Sequence, residues 1–331
     1  MHGRQLGIGV QLLVTYLVLA GLPAQAAKYK VPRTEFGRPD LQGVWNYSSD
    51  VPLERPKEFA DKIFFTREDI QKLKATTVQD IDRFASIGVG AHNTFYFDFE
   101  AQTENLHTSL IVYPTNGRLP KLVEGAPHVG AFDAIFSDVK GTHPVRFAVG
   151  GIGKDGPEDR GLFERCLLPA SVPFTPGIEN NYMQISQSKE HVVLLAEQIH
   201  DARVVPLDGR PFMLDQLRSW TGESRGHWES DTLVVVTKNF NDLEPSFSGS
   251  GTAYHKVVTE RFTRRSSKVL DYEAIIEDPA TFQDKIVVSF PMAKSEARIF
   301  EFACHEGNYD LATTLAGARK QEAAAGKPSA R

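Results

Sequence analysis

Cysteine is almost missing from this 331-residue chain, which holds Cys166 and Cys304 and no other. None of its ten histidines stands in a His-x-His or His-Glu-x-x-His pair, so neither residue type offers metal-ligand spacing. Clustered basic charge is also lacking. Apart from Arg264-Arg265, Lys and Arg are interspersed with Asp and Glu, and the formal net charge is −5, which makes nucleic acid a poor partner. No apolar run after residue 22 is long enough for a bilayer span. The glycine-rich run from Gly150 to Gly156 resembles a phosphate loop only superficially, because no Lys-Ser or Lys-Thr and no helix follows it. It reads as a loop, and redox chemistry is disfavoured. No cofactor and no metal are expected.

What the chain does have begins at its start. Arg4 is the only charged side chain before Lys28, and the apolar run Leu6 to Leu22 follows it. Ala24-Gln25-Ala26 then places small residues where signal peptidase needs them, so residues 1–26 read as a leader cleaved near Ala26/Ala27. No cysteine follows that run to carry a lipid anchor. The expected location is the periplasm or the cell exterior, with no membrane span after cleavage. Such a compartment favours pairing of Cys166 with Cys304, the rival being two buried or reactive thiols. A bridge over so long a loop contributes up to about 4–5 kcal/mol in the chain-entropy account.

Composition, at 41% hydrophobic residues, suffices for a substantial core. Leu41 to Asn46 looks like a first strand, and residues 66–87 like a helix with Thr66 capping and Asp69 three residues later. Residues 88–160 read as irregular. From Asn180 the pattern turns to short β-branched and aromatic runs: Val192 to Ile199, Ala202 to Pro206, Thr232 to Val236, Lys256 to Arg264, Val269 to Ile276, Lys285 to Met292 and Arg298 to Ala303. Turn chemistry at Asp208-Gly209, Ser248 to Gly251 and Asp278-Pro279 separates them. The fold expected is mainly β, an antiparallel barrel or sandwich with a lipocalin-like cavity and a short C-terminal helix, Leu311 to Ala318. Residues 27–160 would pack as strand, helix and loops on a β domain at 161–318, and 319–331 would form a disordered tail.

Functional side chains crowd between 197 and 231. In Ile199-His200-Asp201-Ala202-Arg203 a carboxylate can orient an imidazole, although strand alternation puts His200 opposite Asp201 and Arg203 unless the chain bends. The alternative is a hairpin corner with a structural Asp–Arg pair. Gly222-Glu223-Ser224-Arg225-Gly226 matches a hydrolase pattern, but the chain runs on into the strand Thr232 to Val236 and not into the helix that a nucleophile elbow requires. Ser224 is therefore expected to be inert, within a turn from Gly222 to Asp231 that enters the strand. Arg225, His227 and Glu229 should share one face. Glu260 lies either inward with Val258 and Phe262, where a carboxylate must be paired or protonated, or outward in water. His305 and Glu306 either close a cavity mouth or begin the final helix.

These segments also carry a resemblance. Glu164-Arg165-Cys166, Asn180-Asn181-Tyr182, Ile199 to Arg203, Leu207 to Pro211, Gly222 to Glu229 and Ala303 to Tyr309 resemble a large uncharacterised family of secreted bacterial proteins, acidobacterial and proteobacterial. Pro39 to Trp45 and Ser109 to Val112 extend the likeness over most of the mature chain. It implies no activity. Phe212 stands where that pattern has His, and Ser230 where it has Gly.

Two function classes follow. One is a cofactor-independent lyase, isomerase or hydrolase, with His200, Asp201, His227, Glu229 and Glu260 as acid–base groups and Arg203, Arg225, Tyr182, Trp220 and His305 contacting the substrate. The other is a periplasmic lipocalin-like carrier of a small, partly apolar molecule. A surface interaction module would have no pocket. The cysteine pairing is tested by counting thiols in unfolded, unreduced protein. None is expected to react, two per chain would end the claim, and one would indicate an intermolecular bridge.

Overall fold

The computed structural model describes residues 29–60, 62–72, 75, 107–126, 156–157, 165–167, 172–177, 179–242 and 244–326. The leader, residues 73–74 and 76–87 of the expected helix, the run at 150–155 and residues 327–331 lie outside these. Ten strands form one antiparallel sheet in the order β5-β4-β3-β1-β10-β9-β8-β7-β6, with β2 also pairing β10. In chain order they are β1 (Gly43–Asn46), β2 (Ile111–Tyr113), β3 (Tyr182–Gln187), β4 (His191–Ala196), β5 (Ala202–Pro206), β6 (Glu223–Glu229), β7 (Thr232–Lys238), β8 (Val257–Arg264), β9 (Val269–Glu277) and β10 (Ile286–Ser295). The nine strands of the main path curl into a nearly closed barrel.

Alternation builds the interior, since successive side chains of a strand face opposite ways. Trp45, Met183, Ile185, Val192, Leu194, Leu233, Val258, Phe262, Leu270, Tyr272, Val288, Phe290 and Met292 are all buried in one core. Closure is completed without a backbone ladder, because β5 pairs only β4 and β6 pairs only β7. The two edges meet through side chains at Gly226, where a Cβ would lie 2.8 Å from both Val205 Cγ1 and Leu207 Cδ2. Glycine is thus required by close approach and not by backbone conformation.

Several expectations are refined or corrected. The stretch Gly222 to Asp231 is no turn: Glu223–Glu229 is itself β6, and the turn to β7 falls at Ser230 and Asp231. Ser230 has φ 58°, a conformation that glycine carries more cheaply. Arg298 to Ala303 is not a strand, and Phe300 is exposed. That segment is held by the Cys166–Cys304 disulfide, with Cα atoms 5.7 Å apart. Strand β4 stops at Ala196, before a single 3-10 turn at Gln198–His200. The final helix runs Asp310–Ala324, so residues 319–324 are helical and not part of a tail. β1 and β2 belong to the sheet itself, and Val31–Arg331 forms one compact unit with no division at 160. Thr66 does cap: its Oγ1 accepts the Asp69 N–H at 3.2 Å, Asp69 Oδ2 accepts the Thr66 N–H at 2.7 Å, and residues 67–72 are helical.

Substituting Gly226→Val should wedge the seam and cost about 1–3 kcal/mol, the range for overpacking. Hydrogen exchange should speed up in β5 and β6 before the other strands. Uniform acceleration across the barrel would show that the seam is not its weak line.

Candidate functional site

Glu260 settles inward. It lies between Val258 and Phe262 on β8, fully buried, paired in register with Val235 and Ala274. Arg203, on the inward face of β5, meets it with two guanidinium nitrogens, Nη2 donating to Oε1 at 2.9 Å and Nη1 to Oε2. Tyr272 OH donates to the same Oε1 at 2.8 Å. The carboxylate thus accepts three hydrogen bonds, two of them from a guanidinium. Burial and the neighbouring Glu260 together push the Tyr272 phenol well above its ordinary range, so it stays protonated.

Around this group lies a segment without regular structure. Val172, Pro173 and Phe174 are all buried. The Phe174 N–H donates to Tyr272 OH at 3.0 Å, and its ring packs 5.3 Å from the Arg203 guanidinium, between Tyr47 and Tyr272. Lys256, at the start of β8, donates from Nζ to the Val172 carbonyl at 3.3 Å and sits 4.3 Å from the Phe240 ring centroid. No carboxylate among the described residues reaches salt-bridge distance of that ammonium. Burial lowers its pKa to about 8, against the opposing pull of Glu244, Asp278 and Glu260. Arg203 Nε is likewise buried and has no acceptor among the described residues.

The other sequence candidates are not gathered here. His200 follows Ile199 in a left-handed corner (φ 56° and 53°), and its Nε2 accepts the Phe302 N–H at 2.7 Å. That bond ties the β4–β5 corner to the disulfide segment. Asp201 is half-buried and close enough to Arg203 to favour its charge. His227 and Glu229 lie on the outer face, 3.2 Å apart, and Arg261 holds Glu229 at 2.8 Å. Arg261 first, then His227, lowers the Glu229 pKa in the exposed surface. Arg225 shares that outer face but spends its guanidinium on Glu223 and on the Pro211 carbonyl at 3.1 Å, while its neighbour Phe212 stacks beneath it and Lys238. Ser224 faces inward to Thr237 Oγ1 at 2.8 Å, within a strand. Tyr182 falls on the outer face of β3, Trp220 is half-buried ahead of β6, and His305 is exposed beside the disulfide.

Tyr272, Lys256 and Phe174 escaped the sequence reading. Tyr272 was legible in principle, since a phenol alternating with Leu270, Ala274 and Ile276 must find a partner when buried. Lys256 at a strand start looks like any edge charge, and Phe174 lies in a stretch with no periodicity. At the opposite end of the barrel an open cleft is lined by Phe36, Arg38, Lys189, Glu190, Leu207 and Asp208, a mixture of charges with no buried polar group. Among the described residues no helix is long and apolar enough to cross a membrane. Comparison with known proteins finds no matching family model, no matching curated protein and no matching solved structure.

Two predictions follow from the buried charges. Arg203→Met strands Glu260 in the core and should cost about 3–5 kcal/mol, whereas Arg203→Met with Glu260→Leu should recover most of that loss in urea unfolding. Equal loss in both variants would show that the pair stabilises the fold on its own account. For Lys256 the folded-state pKa of about 8 lies below the ordinary lysine value of 10.5. The unfolded chain therefore binds more protons between those values, and stability rises with pH across that window. Lys256→Met should flatten this rise. An unchanged slope would place the titration elsewhere.

Proposed function

We propose that the protein is an extracytoplasmic carrier that binds a small, partly apolar ligand bearing a carbonyl or carboxylate, at the end of the barrel where Val172–Phe174 now lies. The observation that carries this reading is the way interior polar groups are spent. Tyr272 OH, Lys256 Nζ and the Arg203 guanidinium face, respectively, a backbone N–H, a backbone carbonyl and an aromatic ring of one irregular segment. Of these, the acceptor at Lys256 and the ring at Arg203 are contacts that a bound aromatic carbonyl compound would make in an otherwise apolar barrel. Arg203 Nε supplies a further donor still lacking an acceptor among the described residues, at a cost of about 1–3 kcal/mol while it stays unmet.

Binding is favoured over acid–base catalysis because the titratable candidates are dispersed. Glu260 is bonded inside to Arg203 and Tyr272, while His227 and Glu229 share the outer surface with Arg261 and His200 is engaged at a corner. General acid–base work needs a group within reach of the reacting atom and free to exchange its proton. The disulfide and the leader-like start support a location outside the cytoplasm.

The test is titration calorimetry with phenyl ketones and aromatic carboxylates, with aliphatic analogues for contrast. Saturable one-to-one binding is expected for the aromatic set, along with a rise in Tm that grows with ligand concentration. Phe174→Ala, which vacates the ring position, should bind the aromatic ligands about tenfold more tightly, equivalent to about 1.4 kcal/mol. Absence of binding by both proteins, with circular dichroism showing each folded, would remove the carrier reading.

A further inference from the structure

A lysine is among the residues least often fully buried, and when buried it is usually paired. Lys256 is 6% exposed, and among the described residues its ammonium meets the Val172 carbonyl and the Phe240 ring and no carboxylate. Glu244, Asp278 and Glu260 act on it through space, without an ion pair. Against packing alone this is a poor use of a core position, since an aliphatic residue would fill the space without desolvating a charge. Its value is chemical: an amine held in apolar surroundings, at the contact between the barrel wall and the segment that would give way to a ligand. Resting on the carrier reading above, we propose that Lys256 Nζ captures an aldehyde or ketone ligand covalently, as an imine.

The atoms balance without an oxidant or reductant. The unprotonated amine adds its lone pair to the carbonyl carbon, forming the C–N bond as the C=O π pair moves to oxygen. One nitrogen proton passes to that oxygen, giving a carbinolamine. Its hydroxyl takes one proton from solvent and leaves as water while the nitrogen lone pair forms C=N, and the second nitrogen proton returns to solvent in exchange. Hydrolysis reverses each step, as a carrier requires. The Val172 carbonyl now occupying Nζ is where the ligand's carbonyl would come, so the Val172–Phe174 segment must shift to admit it. Burial also favours the reactive state. At pH 7 an amine titrating near 8 is neutral about three-hundredfold more often than an ordinary lysine.

The experiment treats the intact chain at pH 7 with benzaldehyde and cyanoborohydride, then maps N-benzyl groups by peptide mass spectrometry. Lys256 should be modified at least about tenfold faster than exposed lysines such as Lys189, Lys268 and Lys285, which serve as internal references. Its rate should level off above about pH 8 while theirs continues to climb. Lys256→Arg, which keeps the charge but forms no imine, should abolish the fast phase. Labelling of the exposed lysines with Lys256 untouched, in protein that still binds the ketones, overturns covalent capture and leaves the carrier reading in place. Absence of both labelling and binding overturns the two together.

Discussion

The fold turns on a strut between two strands that do not touch. Arg203 on β5 and Glu260 on β8 join across the interior, past β6 and β7, at the one place where the barrel wall has no backbone ladder. Nine strands can hydrogen-bond in sequence only if the last finds the first, and here the last step is made by side chains. Gly226 lets Val205 and Leu207 settle against β6, and the ion pair draws β5 toward the far wall. Ala274 beside Glu260 leaves room for the guanidinium. Small residues and opposite charges thus do together what hydrogen bonds do around the rest of the circumference.

That arrangement has an energetic cost which explains its neighbours. Two ions in a dry interior lose several kcal/mol of hydration each, and attraction restores it only when the remaining lone pairs are met. Tyr272 meets one of them, and its own oxygen then accepts from Phe174. Lys256 is the exception, a cation in the same interior with a carbonyl and a ring in place of a carboxylate. The polar interior is therefore a graded series, from a carboxylate with three hydrogen-bond partners to an amine whose charge burial disfavours.

Much of this was legible from residues, and the failures have physical reasons. Alternation over Val258, Glu260 and Phe262 posed the right question about β8, but only the partner strand could answer it, because register is a tertiary quantity. The barrel class followed from strand spacing. Strand β6 was hidden by two glycines that read as turn chemistry, although Gly226 is there for close approach and only Gly222 has a positive φ, 71°. Conversely Phe300 and Phe302 alternate like a strand and form none, since Cys304 and His200 hold that segment by other means. Arg203 and Glu260, on regular strands, were found, whereas Tyr272, on β9, and Phe174 and Lys256, outside the strands, were not. Loops and strand ends carry no period from which a side chain's direction can be inferred.

The disulfide has a topological meaning as well. Cys166 and Cys304, 138 residues apart, enclose β3 through β10 in one covalent ring, and β1 lies outside it. Yet β1 is the strand inserted between β3 and β10, the first and last members of that ring. The earliest strand to emerge from synthesis is thus the last that can be satisfied on both edges, because β10 must be complete before its slot exists. Assembly is committed to a late, non-local step, the kind that makes β topologies slow to form. Once made, the bridge keeps the flanks of that slot together, so that a strand only four residues long remains the keystone of the barrel.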